Sequence, residues 1–270
     1  MVVTGLPDGT GSVTVRAIDI AQRIDRLLGV AGHPDYPAAL NGLQFDHQGP
    51  VRGIAAAVDV SERSIRGAVE AGANFLIVHH GLFWGVAQPI VGGSYRRFRS
   101  LFENDIAVYS AHLPLDAHPE LGNNALLARE FGLTPSRPFA SYQGVPIGIG
   151  GDADMPTDAI LALADTFARR FGGRARASAI SPGHRTRRWA ICTGAGASSE
   201  TLREAESASI NTLITGEGPH HTAVEAPERG VVVIYAGHYA TETLGVSAVA
   251  ERIASESGVP WSFVSAPTGL

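Results

Sequence analysis

Apolar positions Ile20, Ile24, Leu27 and Leu28 recur at helical spacing near the start of the chain and predict a helix over Thr14 to Leu28 that stops at Gly29. The stretch "PAALNGLQFDHQGP" that follows reads as turn-rich. Short β-branched runs then alternate with amphipathic segments. "GIAAAVDV" predicts a strand, "SERSIRGAVEAGA" a helix capped by Ser61, "NFLIVHH" a strand, "YRRFRSLFEND" a helix and "IAVYSAH" another strand. Such alternation is the pattern of an α/β protein with largely parallel sheets.

The second half repeats the order. "WAICTGAGASSETLREAESASINTLITGE" reads as strand, Ser-capped helix and strand, with Ser198 in the place of Ser61 and Asn211 in the place of Asn74. The helix "HTAVEAPERG" and the strand "VVVIYAGH" follow, and a shorter connection then brings His238 onto His112 and Glu242 onto Asp116. Two similar lobes of βαβ design are expected: residues 1–134 with 236–270 as one, and 135–235 as the other. A short strand over Val145 to Ile149 and a helix over Thr157 to Phe171 belong to the second lobe.

Three apolar strands end in polar side chains able to bind metal, in "IVHHG", "VYSAHLPLD" and "VIYAGHYATE". The carboxyl ends of strands in α/β sheets are where ligand sites gather. In "AHLPLD" and "GHYATE" a carboxylate follows a histidine by four residues, which puts both on one face if the chain turns helical, with Thr241 as the expected cap of "ETLGVSAVAERI". His79 and His80 are adjacent, and neighbouring side chains on a strand diverge. Five candidate ligands, His79, His80, Asp116, His238 and Glu242, exceed the need of one tetrahedral ion. Two divalent ions, zinc, manganese or iron, roughly 3.5–4 Å apart account for the number and would take one histidine of the pair each.

Composition narrows the chemistry. Cys192 is the single cysteine, so no internal disulfide and no multi-cysteine metal site can form, and its place in "WAICTG" predicts a buried inert thiol. All 21 basic residues are arginine, which excludes Schiff-base catalysis and the Walker A lysine. The net charge of -5 gives no general drive toward nucleic acid, and the seven arginines from Arg169 to Arg188 read as a solvated face balanced by acids. Hydrophobic residues make up 44% and charged residues 17%, as expected of a folded globular chain. No apolar run reaches bilayer length and Met1 to Thr14 lacks a signal-peptide pattern, so a cytoplasmic protein is expected.

Other groups are secondary candidates. Glu217, His220 and His221 in "TGEGPHH" follow a strand and suit either a supporting role beside a metal or an exposed turn. His112 suits a ligand, a general base or an orienter of Asp116, and His112 and Glu217 are the candidates for moving protons. "TGAGASSE" resembles a phosphate-binding turn without matching a dinucleotide fingerprint or a P-loop.

"GLQFD", "VDVSERSIRGAVEAGANFLIVHHGLFW", "YSAHLPLDAHPELGNNALLA" and "TGEGPHHTAVEAPERGVVVIYAGHYATE" together resemble the GTP cyclohydrolase 1 type 2 homologs, also called Nif-three-like proteins. The resemblance runs from Gly42 to Glu242 and is weakest in the N-terminal arm and from Pro135 to Arg188. It implies a two-lobed α/β subunit of Nif-three-like fold, a two-metal site between the lobes and a toroidal homohexamer. The family's metal residues fall on His79, His80, Asp116, His238 and Glu242, the set chosen above on chemistry. Gly81 stands where proline is usual, "LPLD" replaces Thr-Asn-Leu-Asp, and "AALNGLQ" lacks the usual Trp-Asp. Gly81 is expected to let the loop after His80 turn more freely.

A metal-dependent hydrolase acting on a nucleotide or related phosphate-bearing substrate is the expected function. The alternatives are a non-catalytic, metal-dependent oligomeric scaffold or regulatory partner and, less favoured by charge, a nucleic-acid binder.

Overall fold

The computed structural model describes residues 15–85 and 87–270. Met1 to Thr14, and with them the reading of no signal peptide and the first residue of the expected N-terminal helix, lie outside the described residues. The chain runs through α1 (Ala17–Leu28), β1 (Gly42–Phe45), β2 (Ile54–Asp59), α2 (Glu62–Glu70), β3 (Phe75–His80), α3 (Gly92–Glu103) and β4 (Ala107–Ser110). The short helices α4 (Leu113–Asp116) and α5 (Asn123–Glu130) lead to β5 (Arg137–Tyr142), β6 (Val145–Pro156), α6 (Thr157–Arg169), β7 (Arg176–Ala177) and β8 (Arg185–Cys192). Then come α7 (Ser199–Ser207), β9 (Thr212–Thr215), α8 (His220–Glu228), β10 (Val232–Tyr235), α9 (His238–Thr241), α10 (Thr243–Ser257) and β11 (Trp261–Phe263). Among the described residues no helix is long and apolar enough to cross a membrane.

Two mixed sheets result, in the orders β1-β4-β3-β2-β11 and β5-β6-β8-β9-β10-β7. The first is built around four parallel strands, β11, β2, β3 and β4, and the second around three, β8, β9 and β10. The pleat decides the packing. Alternate residues Ile54, Ala56, Phe75, Ile77, Ala107 and Tyr109 meet α1 and α10, while Ala55, Ala57, Leu76, Val78 and Val108 meet α2 and α3. The second sheet does the same. Trp189, Ile191, Ile214 and Ile234 pack on α5 and α6, and Ala190, Leu213 and Val233 on α7 and α8.

The two halves repeat in hydrogen bonding as well as in order. Ser61 and Ser198 each cap a helix by accepting from the backbone N–H three residues on. Asn74 accepts from Arg52 N at 2.7 Å, and Asn211 accepts from Arg187 N at 3.1 Å, each tying the start of one parallel strand to its neighbour.

Several elements depart from the sequence expectation. β1 forms inside the turn-rich stretch because it pairs antiparallel with β4, and that long-range pairing leaves no periodicity in four residues. β6 extends to Pro156, well beyond Ile149, and its glycines are internal to the strand. A Cβ on Gly151 would stand 2.5 Å from Thr134 O and 2.7 Å from the Trp189 ring, so glycine here reports close packing against a neighbour. β5, β7 and β11 were likewise not expected. Thr241 is the last residue of α9 and does not cap α10. Its hydroxyl accepts from Gly194 N at 3.1 Å instead.

Gly151→Ala is expected to destabilise the fold by about 1–3 kcal/mol through overpacking against Trp189. A chemical-denaturation midpoint indistinguishable from that of the unmodified protein would contradict this packing.

Candidate metal centre

The carboxyl ends of six of the parallel strands, β2, β3, β4, β8, β9 and β10, converge between the two sheets. The first sheet brings Asp59 from β2, His79 and His80 from β3, and His112 and Asp116 from the turn and short helix after β4. The second brings Thr193 and Gly194 after β8, Glu217 after β9, and His238 and Glu242 after β10. All five sequence-predicted ligands, together with His112 and Glu217, are therefore assembled in one place. The exposed His220 and His221 stand on α8.

His79 and His80 leave opposite faces of β3 but their rings meet at 4.8 Å, tilted by 57°. Each is held by its Nδ1: His79 lies 2.8 Å from Ala111 O and His80 lies 2.9 Å from Asp59 Oδ1. His112 Nδ1 stands 2.8 Å from Asp35 Oδ1, and His238 Nδ1 stands 2.7 Å from Glu217 Oε1. All four partners are acceptors with no proton to give. Nδ1 therefore carries a proton in each ring, which leaves Nε2, facing the centre, as the atom that can bind a cation or take a second proton.

Glu242 lies where the Nε2 atoms of His79, His80 and His238 converge. Its Oε1 is 3.5 Å from His79 Nε2, and its Oε2 is 3.6 Å from His80 Nε2 and 3.1 Å from His238 Nε2. Asp116 joins the His79 side with Oδ2 at 3.5 Å, while its Oδ1 accepts from Asn123 Nδ2 at 2.8 Å. Ring nitrogens of His79, His80 and His112 form one group able to hold a metal ion, and His80, His238 and Glu242 form another. Glu242 is 2% exposed. The buried atoms His79 Nε2, His238 Nε2 and Glu242 Oε2 have no hydrogen-bond partner. Unpartnered polar atoms of this kind are costly in a folded protein, and divalent cations held by the two groups would satisfy them. The residues present fit a metal.

Several supporting residues carry no signal that the sequence reading used. Asp35 orients His112 and also accepts from Asn41 Nδ2 and Leu113 N, and Asn41 in turn accepts from His112 N. Asp59 ends the predicted strand "GIAAAVDV" beside the paired histidines; a carboxylate at the mouth of a parallel strand was the available clue. Gly194, with φ +63°, lies against the Glu242 carboxylate so closely that a Cβ would displace it. The "TGAGASSE" loop thus forms a wall of the site, with the Thr193 and Gly194 N–H groups engaged by Asn124 and Thr241. Gly81 has no left-handed backbone conformation; it leaves room for the Gln44 side chain, whose Oε1 accepts from Leu82 N at 2.6 Å. Space for Gln44, not freedom to turn, is what glycine supplies there.

Burial pushes the Cys192 thiol up to about 12, as expected of an inert cysteine. Burial also opposes charge on His79, yet the Asp116 and Glu242 carboxylates outweigh it and raise that imidazole well above its usual range. His238 behaves alike: against its burial, Glu242 and Glu217 lift it to about 9. Glu242 in turn is held well below the carboxylate range, its own burial being overcome by His79 and His80. Without metal, protons on imidazole balance the buried carboxylates.

Metal must displace those protons. Titrating zinc or manganese into metal-free protein at pH 7, in two buffers of different ionisation enthalpy, should show proton release that declines as pH rises through about 9. A raised folded-state pKa stabilises below the unfolded value and loses that contribution as pH climbs through the folded one. The metal-free protein should therefore lose stability from about pH 6.5 upward, across a window that includes the His238 value of about 9. Metal uptake without proton release at pH 7 would contradict this charge balance.

The sequence pattern of the Duf34/NIF3 (NGG1p interacting factor 3) family matches residues 15–268. A GTP cyclohydrolase 1 type 2 homolog of Deinococcus radiodurans is 40% identical over 264 residues, covering 97% of each chain. Among solved structures, protein ybgI, described as of unknown function, superposes with a TM-score of 0.85 at 32% identity over 95% of this chain and 100% of that one. TTHA1606 from Thermus thermophilus does so with a TM-score of 0.77 at 38% identity, over 95% and 100%. The convergence of histidines and carboxylates between two sheets is thus set in a fold and sequence shared along almost the whole chain, which belongs to the Duf34/NIF3 family.

Proposed function

We propose that this protein is a metal-dependent hydrolase in which the Glu242 carboxylate would help to hold two divalent ions. The observation that carries the reading is the division of that carboxylate: Oε1 faces His79, and Oε2 faces His80 and His238. Asp116 and His79 would complete one side, His80 and His238 the other, and His112 adds a nitrogen donor beside His79 and His80. Imidazole and carboxylate together suit zinc, manganese or iron(II). Divalent ions in such a site supply a nucleophilic water at neutral pH and polarise the bond it attacks.

The chain's own groups have separable tasks. Glu217 works through His238, fixing the ring by its Nδ1–H, and is a positioning residue. Asp59 and Asp35 do the same for His80 and His112. Asp116, with Oδ1 tied to Asn123, keeps Oδ2 for the centre. A cavity of about 290 Å³ opens onto His80, His112, Asp116, His238 and Glu242, which supports catalysis over a closed structural site. Relatives' names support a cyclohydrolase-like activity, in which water adds across a ring C–N bond, the C–O bond forms, the C–N bond breaks and the nitrogen takes the proton.

Elemental analysis of purified protein should find two ions per chain. Glu242→Ala should lose both and abolish hydrolysis across a panel of nucleotides and cyclic amides, while His238→Ala should retain one. Fully loaded protein that turns over nothing in the panel would favour the scaffold reading.

Self-assembly belongs to the same reading. Ile90, Tyr95 and Phe102 line a strip on and beside α3 and are 54%, 54% and 69% exposed, a continuous apolar surface of the kind that marks contact sites. Light scattering should report a homohexamer, and Phe102→Asp should reduce its mass. A monomeric unmodified protein would contradict assembly.

A further inference from the structure

The mouth of the metal cavity has a composition that the ligands do not require. Tyr36 and Trp84 stand there, 44% and 48% exposed, although large aromatic rings bury well when nothing else constrains them. Both rings lean on the same ligand candidate. Trp84 meets the His112 ring edge-on at 4.8 Å and the His80 ring at 5.6 Å, and Tyr36 lies 5.8 Å from the His112 ring. Tyr36 also packs on Tyr142 at 4.6 Å.

These rings are not loose surface groups. The loop bearing Tyr36 and the loop bearing Trp84 are joined by backbone pairing, Ala39 with Trp84, and Gly85 N donates to Ala38 O at 3.4 Å. Tyr36 N donates to Asp35 Oδ1 at 2.7 Å, the same oxygen that orients His112. The aromatic mouth is therefore fixed to the metal-binding side chains through one carboxylate.

The rest of the wall is apolar or neutral and includes Leu113, Ile147, Cys192, Thr193 and Ala195. No arginine lines the cavity, and the chain has no lysine. All 21 arginines fall within the described residues, and six of the seven between Arg169 and Arg188 are paired with surface acids. Proteins that read phosphate or polyphosphate place arginine or lysine on it. At about 290 Å³ the cavity also sits at the small end of ligand sites.

We propose that Tyr36 and Trp84 form a stacking clamp for a planar nitrogen heterocycle, and that this subunit selects its substrate by the ring and not by phosphate groups. This rests on the hydrolase reading for the fate of the ring, but the clamp is a binding site whether or not turnover follows. The ring edge would enter between the aromatic mouth and the Ile147 side, with its polar atoms directed at the centre. Any phosphates would remain outside the cavity, unread by this chain.

Three probes separate ring from phosphate: guanosine carries the ring alone, inorganic tripolyphosphate the phosphates alone, and GTP both. Binding to the metal-loaded, full-length protein should be measured by calorimetry for the unmodified chain, Trp84→Ala, Trp84→Phe and Tyr36→Phe, with metal content checked in each. Guanosine should bind within a fewfold of GTP. Trp84→Ala should weaken both by about tenfold, the loss expected of one base–aromatic stack, while tripolyphosphate binding stays unchanged. Trp84→Phe and Tyr36→Phe should keep most of the affinity, because rings and not their polar atoms do the binding. GTP and tripolyphosphate binding alike while guanosine does not bind would overturn the proposal, as would Trp84→Ala variants that retain full guanosine affinity or lose tripolyphosphate equally. If guanosine binds through Trp84 and no heterocycle is hydrolysed, the clamp stands and the hydrolase reading fails; if cyclic amides are hydrolysed by Trp84→Ala at unchanged KM, the reverse holds.

Discussion

One buried carboxylate sets the terms for the rest of the structure. Glu242 is drawn out of water at the junction of two sheets, where an isolated ionised carboxylate would be prohibitively unfavourable. Three imidazoles point Nε2 at it, and each is aimed by a bond on its far nitrogen. The arrangement has two ways to balance its charge, protons on His79 and His238 or cations between the donors. Both demand that the two sheets stay in register, because the donors come from each.

This constraint accounts for features away from the centre. α9 is one turn long, enough to bring Glu242 back over His238 before α10 carries the chain onto the first sheet. Gly194 has no side chain because the Glu242 carboxylate occupies its place. Asn123 and Asn124, neighbours at the start of α5, link the centre across the sheets: Asn123 holds Asp116 and accepts from Gly245 N, and Asn124 accepts from Thr193 N. Such fixed polar links position ligands more tightly than surface loops can.

The parallel cores and the ligand set were legible in the sequence because both rest on local pattern. "FLIVHH" and "VVVIYAGH" carry strand periodicity and end in ligands, and Ser61 and Ser198 announce their helices by side-chain chemistry alone. β1, β7 and β11 were not legible, being short strands that exist only through partners distant in sequence. The second half of β6, beyond Ile149, hid for a different reason: glycines that punctuate most chains are here required by the Trp189 ring and the backbone of neighbouring strands. Asp35 and Asp59 were missed because orienting a histidine needs only a carboxylate at the right point in space, and no spacing in sequence records it.

Anomalous diffraction from crystals of the metal-loaded protein tests the central claim most directly. The account predicts two peaks per chain on either side of the Glu242 carboxylate, one beside His79 and Asp116 and the other beside His80 and His238. A single peak, or density elsewhere with Glu242 bonded only to protonated imidazoles, would contradict it.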